Sequence, residues 1–480
     1  MIYLDINNQD YYDETRTLVR AFYPKIDTTT DKEADYDISV SVTVKERSTE
    51  VIISSDEKTC KKHMVSPDDN VKNIWDTFKS CVYGALSEYT ERTLPWGMLT
   101  GVRPAKIVLG QIEAGKSTDD IRQYMMSYYG VSRLKTDLAI DVAIKENELL
   151  KKIDYNNGIS LYIGIPFCPT TCLYCSFTSY PLAIWKKSVD AYIDALIKEM
   201  KSIAPLLAGK CIQSVYFGGG TPTTLEPQQS EKLLNALFEC FDMDSCTELT
   251  VEAGRPDSVT DEKLKVLKAH GVDRISINPQ TMKQETLELI GRRHSVKQVI
   301  DAFKLARENG FNNINMDLIV GLPGETIEDI DNTMREIEKL GPDSITVHSL
   351  AVKRAAALKM WQKKNTEYGI TNTWEMIDLT YKYAKKNGLE PYYLYRQKNM
   401  AGNFENVGYS KKGYECLYNI LIMEAKQTIV AFGAGGSSKF VFPQENRIER
   451  VENVKDVRNY IDRIDEMIER KRSFIEANDV

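Results

Sequence analysis

Between residues 158 and about 350 the chain alternates six short runs rich in β-branched and aromatic residues with longer stretches of helical periodicity. The runs are SLYIGIP, CIQSVYFGG, ELTVEAG, RISINPQ, NINMDLIVG and SITVHSL. Each is almost continuously apolar, as a strand is when both its faces are covered. Amphipathic stretches such as Val189 to Ala204 and Glu325 to Leu340 supply the cover. Strands joined by helical crossovers run parallel, and six such units fall short of the eight of a closed barrel. The expected fold class is therefore α/β, a partial (β/α)6 barrel over residues 151–370 with its site at the C-terminal ends of the strands.

The first run leads into YIGIPFCPTTCLYCSF, which places Cys168, Cys172 and Cys175 in a loop just past a strand end. CxxxCxxC supplies three thiolates, enough for three irons of a cubane [4Fe-4S] cluster, and leaves the fourth iron to an outside ligand. Structural zinc is the alternative, but a closed zinc site takes four ligands and no Cys or His follows nearby to complete one. The other cysteines, Cys60, Cys81, Cys211, Cys240, Cys246 and Cys416, are scattered and read mostly as small buried residues in a reducing compartment.

Further candidates fall at equivalent places along the later runs. Gly218, Gly219, Gly220, Thr221 and Pro222 follow the second run, where missing side chains let backbone approach a ligand. The third run ends at Glu252, the fourth at Gln280, and Asp317 lies inside the fifth; polar groups in apolar runs need partners. Each is satisfied by neighbouring backbone or by a polar ligand, and several aimed at one rim favour the ligand. Arg292, in GRRH, offers a fork for a carboxylate.

With 42% hydrophobic and 27% charged residues the chain is of ordinary globular composition, and a net charge of -7 gives no footprint for nucleic acid. The first residues, MIYLDINNQDYYDE, are acidic and lack the apolar region of a signal peptide, and no run reaches the length of a membrane span. A cytoplasmic protein is expected. Residues 1–150, with the strands YDISVSVTVKE and TEVIISSD followed by helices, read as an α+β accessory domain. Their LPWGMLTGVRPAK segment reads as a docking loop ahead of an anion site. Residues 371–480 read as a mostly helical domain closing the substrate side, with Arg447 to Arg472 a solvated helix and FGAGGSSK a glycine loop outside the GxGxxG pattern.

CxxxCxxC, GGGTPT, VEAGRPD, INPQT, GRRH and NMDLIVGLPGE, in that order, resemble the radical S-adenosylmethionine enzymes of the oxygen-independent coproporphyrinogen III oxidase group. The resemblance spans about residues 158–440. The N-terminal portion, LPWGMLTGVRPAK and YLYRQKNMAGNFENVGY look most like its coproporphyrinogen dehydrogenase, or HemZ, branch. It implies that Cys168, Cys172 and Cys175 ligate the cluster. It implies too that Tyr162, Tyr174, Gly219, Gly220, Thr221, Glu252, Gln280, Arg292, Asp317 and Ala351 contact S-adenosylmethionine. The activity implied is the oxidative decarboxylation of coproporphyrinogen III to protoporphyrinogen IX through a 5'-deoxyadenosyl radical, fed by an electron donor of flavodoxin or ferredoxin type. Lys353, Arg354, Arg396 and Lys398 are candidates for holding the substrate propionates.

One departure from the group's pattern is Phe177, where the oxidase branch carries a further cysteine. A sister branch of haem chaperones has a similar CxxxCxxCxF, which makes haem trafficking the competing expectation. Haem wants an axial ligand such as His; of His63, His270, His294 and His348, the last reads as packed core or a substrate contact in the sixth strand. His270 reads as a helix end and His294 as a shaper of the Arg292 loop.

Overall fold

The computed structural model describes residues 1–24, 26–101, 103–155, 157–177, 179–351, 357–397 and 404–478. It divides into two compact units, Met1–Ile144 with Leu394–Glu405, and Lys145–Tyr393 with Asn406–Val480. These replace the three-part division 1–150, 151–370 and 371–480, because strands beyond 371 hydrogen-bond into the barrel sheet.

In the first unit, β1 (Ile2–Ile6), β2 (Thr28–Thr29), β3 (Ile38–Lys45), β4 (Ser48–Ser54) and β5 (Thr59–Val65) form a sheet of order β2-β1-β3-β4-β5. Alternation in β3 and β4 puts Val40, Val42, Val51 and Ile53 on one face. There they pack with Phe78, Val82 and Leu86 of the helix Val71–Thr90, and with Leu18 and Phe22 of the helix Tyr12–Phe22. The LPWGMLTGVRPAK segment is a packing element: Trp96 is buried with its indole N-H on Glu405, which also pairs with buried Lys135. Only glycine suits residue 97, where φ is +55° and a Cβ would meet the Tyr129 carbonyl at 2.0 Å.

The second unit holds β6 (Gly158–Ile165), β7 (Phe167–Cys168), β8 (Tyr180–Pro181), β9 (Cys211–Gly219), β10 (Glu248–Glu252), β11 (Arg274–Ser276), β12 (Asn313–Val320) and β13 (Ser344–Ser349). It continues with most of β14 (Glu390–Tyr395, to Tyr393 in this unit), and with β15 (Asn406–Ser410), β16 (Thr428–Phe432), β17 (Ser437–Phe442) and β18 (Arg447–Glu452). The main sheet runs β14-β15-β13-β12-β11-β10-β9-β6-β16-β17-β18. Its centre, β6 and β9 to β13, is parallel and in sequence order, the (β/α)6 arrangement. Helices Val189–Ile203 and Ile327–Leu340 stand where the amphipathic periodicity predicted them. The sheet stays open, with β16 added parallel to β6 at one edge and β15 antiparallel to β13 at the other.

Residues 371–480 thus carry helices (Trp374–Lys386, Leu417–Glu424, Val457–Asp462 and Ile464–Asn478) interleaved with strands that extend the barrel sheet. FGAGGSSK turns β16 into β17, where Gly433 at φ +97° lies so close to Gly164 that a Cβ would meet its carbonyl at 2.6 Å. Arg447 to Arg472 is not one solvated helix. Its alternating charges begin as the edge strand β18, where period two leaves only Val451 buried, and its end carries Lys471 wholly buried.

Candidate functional site

Because β6 is buried along nearly its whole length, the loop after it starts from a fixed point. The amides of Gly220 and Thr221 donate to the carbonyls of Ile165 and Phe167, each at 2.7 Å, tying the glycine turn after β9 to the chain entering the cysteines. A Cβ at Gly220 would meet the Phe167 carbonyl at 2.6 Å. The close approach that glycine permits there is to the cysteine strand, and those two N-H groups are spent on it. Further along, Thr170 Oγ1 donates to the Gly291 carbonyl at 2.9 Å and the Leu173 amide to the Ile290 carbonyl at 2.9 Å.

Two buried arginines face this loop. Arg292 donates to Tyr174 Oη at 3.2 Å and to the carbonyls of Gly254 and Asn278 at 2.8 and 2.5 Å, so its fork clasps Tyr174 and backbone. Arg255 holds Asp257 and reaches Thr170 and Cys172. Buried His294 lies against both; burial and the two cations push it down to about 3, so it is neutral although its Nδ1 is 3.9 Å from Asp257. Burial pushes the Cys168 thiol up to about 11 against the help of the Thr221 hydroxyl 3.5 Å away, and raises Cys175 as well. Metal loading at these thiols therefore displaces protons.

Inside the sheet, β6, β10 and β13 each leave a single position of their buried runs partly accessible: Tyr162, Glu252 and His348. Tyr216 in β9 and Asp317 in β12 are likewise partly accessible. Tyr162 and Tyr216 are register partners, and Tyr418 stacks on both, at ring-centroid distances of 6.1 and 4.5 Å. Tyr216 Oη donates to Glu252. Burial, opposed by that bond and reinforced by the Asp317 charge, pushes Glu252 up to about 7. Burial would raise Asp317 too, but His348, 3.8 Å away, and Asn315, donating at 2.7 Å, more than offset it and hold the carboxyl below its ordinary range. Two carboxyls in one lumen are thus driven apart in acidity.

Gln280 lies beyond β11, which ends at Ser276, and not at a strand end as the run RISINPQ suggested. A bridge to Leu318 fixes it, its amide donating to the Asp317 carbonyl at 3.0 Å. Its backbone is left-handed, φ +67°, and its buried Oε1 has no hydrogen-bond partner among the described residues. A strained residue with an orphaned acceptor is suited to a ligand's donor. Ala351 follows β13, half-buried. Among the described residues no three Cys, His, Asp or Glu side chains converge as the ligands of one ion do. Three separated thiols fit a cluster, whose irons each take one.

Lys353, Arg354 and Lys398 lie outside the described residues. Arg396 is no free propionate ligand: it is buried in the first unit, donating to the Leu99 carbonyl with its guanidinium over the Trp96 ring. His270 ends the helix Asp261–Ala269, its ring between the Val266 carbonyl and Asn235 Oδ1. Sequence reasoning missed Tyr216, Tyr418 and Arg255. Tyr216 carried a signal, as a polar-tipped residue in an apolar run; Tyr418 lies in a helix remote from the barrel motifs, and Arg255 reads as an ordinary loop charge.

Residues 162–337 match the Radical SAM superfamily. The oxygen-independent coproporphyrinogen-III oxidase-like protein HemZ of Bacillus subtilis (strain 168) is 36% identical over 474 residues, covering 96% of this chain and 95% of that one. The heme chaperone HemW of the same organism is 33% identical over 310 residues, 64% of this chain and 76% of its own. Among solved structures, the coproporphyrinogen III oxidase HemN of Escherichia coli shares the fold, with a TM-score of 0.52 at 22% identity over 68% of this chain and 73% of that one. With its three loop thiols, its lumen of polar side chains and a relative matched nearly end to end, the chain belongs to the radical S-adenosylmethionine family of oxygen-independent coproporphyrinogen-III oxidase-like proteins, whose cofactors are a [4Fe-4S] cluster and S-adenosylmethionine.

Proposed function

We propose that this protein carries out the oxygen-independent oxidative decarboxylation of coproporphyrinogen III to protoporphyrinogen IX in porphyrin biosynthesis. The observation that carries this reading is the nearly full-length similarity to HemZ, which extends through the accessory unit as well as the barrel. Cys168, Cys172 and Cys175 hold the cluster, and Tyr162, Tyr174, Gly219, Gly220, Thr221, Glu252, Gln280, Arg292, Asp317 and Ala351 surround S-adenosylmethionine. When bound, these groups would supply a 5'-deoxyadenosyl radical, the hydrogen-abstracting species that the decarboxylation of a propionate calls for. The chain's own part is to orient and to exclude. Asp317, held as a carboxylate, accepts hydrogen bonds from a ligand; Gln280 offers its Oε1; the stacked Tyr162, Tyr216 and Tyr418 wall the lumen against water. A small one-electron carrier of flavodoxin or ferredoxin type feeds the cluster, and the setting is the cytoplasm. No helix among the described residues is long and apolar enough to cross a membrane.

Haem trafficking is the second reading, favoured by Phe177 at the place of the oxidases' further cysteine and by the similarity to HemW. An anaerobic assay of the reconstituted protein with dithionite, S-adenosylmethionine and coproporphyrinogen III separates them. Protoporphyrinogen IX formed together with 5'-deoxyadenosine establishes the oxidase. Unchanged porphyrinogen beside stoichiometric haem capture establishes the chaperone.

A further inference from the structure

Arg255 is a buried cation whose charge is spent on the cysteine loop. It is 3% exposed. Its Nε and Nη2 donate to the two oxygens of Asp257 at 3.0 and 2.8 Å, a bidentate fork that fixes the guanidinium plane. The remaining nitrogen, Nη1, is thereby aimed at the loop, where it meets Thr170 Oγ1 at 3.0 Å, the Thr170 carbonyl at 3.4 Å and Cys172 Sγ at 3.8 Å. Arg292, the neighbouring buried arginine, spends its donors on Tyr174 and two carbonyls instead. Among the described residues, then, only Arg255 donates to a cluster-ligand sulfur from a charged group. The Arg255–Asp257 pair is a dipole with its positive end against the sulfur and its negative end turned away.

We infer that Arg255, oriented by Asp257, is a positioning residue that sets the reduction potential of the cluster held by Cys168, Cys172 and Cys175. An N-H donor and a positive charge beside a ligand sulfur stabilise the reduced cluster, which carries one more electron, and raise the potential. The opposite end of the dipole acts with the opposite sign: the Asp257 carboxylate lowers it. The inference concerns the cluster alone and stands whichever substrate the protein acts on.

The test is a potentiometric titration of the anaerobically reconstituted full-length protein, following the reduced-cluster signal by electron paramagnetic resonance, with iron and sulfide content measured alongside. Arg255→Gln shifts the potential negative, changing the reduced-to-oxidised ratio at fixed ambient potential by about tenfold, equivalent to about 59 mV for a one-electron couple. Asp257→Asn, which removes the carboxylate charge but keeps one acceptor oxygen for the guanidinium, shifts it positive. Shifts of opposite sign support the inference. Unmoved potentials, or shifts of the same sign in both variants, overturn it and leave Arg255 a clasp for the loop. Should Arg255→Gln fail to load a cluster, Asp257→Asn decides alone: a positive shift supports the inference, and an unmoved or negative one overturns it.

Discussion

Lys471 Nζ lies 2.6 Å from Glu199 Oε1 with both side chains wholly out of solvent, joining the helix Ile464–Asn478 to the barrel helix Val189–Ile203. Glu199 also accepts from Asn453, Tyr460 and the Gly433 amide, and Lys471 donates to the Ala431 carbonyl. Removing one member of such a pair leaves the other charge buried alone, at a cost of about 3–5 kcal/mol. Lys471→Met is expected to lower the urea midpoint accordingly, and adding Glu199→Gln to recover much of the loss. A single variant as stable as the parent would show that the charge at 471 is not needed there.

Glu252 sets a pH dependence of stability in the metal-free protein. Its ordinary value of 4.5 rises to about 7 in the fold, so the folded state favours the neutral acid. The destabilisation is absent below about pH 4.5, grows as the pH climbs to 7, and is complete above it. At about 1.4 kcal/mol per unit it amounts to about 3–4 kcal/mol. Glu252→Gln keeps an acceptor for Tyr216 and should unfold at higher urea than the parent at pH 8, with the gap closing near pH 4.5. An equal gap at both pH values would place the cause elsewhere.

Cluster loading should depend on the loop thiols and not on the cysteines outside it. Cys172→Ala is expected to lose most of its iron and sulfide after anaerobic reconstitution and to abolish 5'-deoxyadenosine formation. Cys211→Ala, at an exposed thiol on β9, should match the parent in both. Iron retained by the Cys172 variant would break the three-thiolate assignment.

Gly220→Ala asks whether the glycine turn braces the cysteine strand. The added methyl meets only backbone, the Phe167 carbonyl at 2.6 Å, Pro166 at 2.8 Å and the Ile165 carbonyl at 2.9 Å, none of which swings aside as a side chain does. Overpacking of this kind costs about 1–3 kcal/mol. A lower melting temperature together with reduced iron loading is expected; normal values of both would mean the loop yields more readily than its hydrogen bonds suggest.

The six parallel strands were legible because burial on both faces writes itself as continuous apolar runs, and the cysteines because ligand spacing is local. The strands beyond residue 371 were hidden for the same physical reasons. β18 alternates charge like a solvated helix because an edge strand exposes every second residue. Lys471 looked like a surface charge because its counter-ion is 272 residues away. Arg255 was invisible as a cluster neighbour because its target, Cys172, is 83 positions earlier and is brought beside it only by the return of β10. Gln280 could be singled out, but not its left-handed backbone, which stands at a long-range bridge to Leu318 of β12.

Glu405, buried against Trp96 and Lys135, belongs to the first compact unit although nearly the whole barrel lies between them in the chain. During synthesis the N-terminal unit therefore waits, its lysine without its carboxylate, until all six parallel strands have left the ribosome. The part of the protein made first is among the last to be finished, and a nascent chain halted within the barrel would present an open seam where residue 405 has yet to close it.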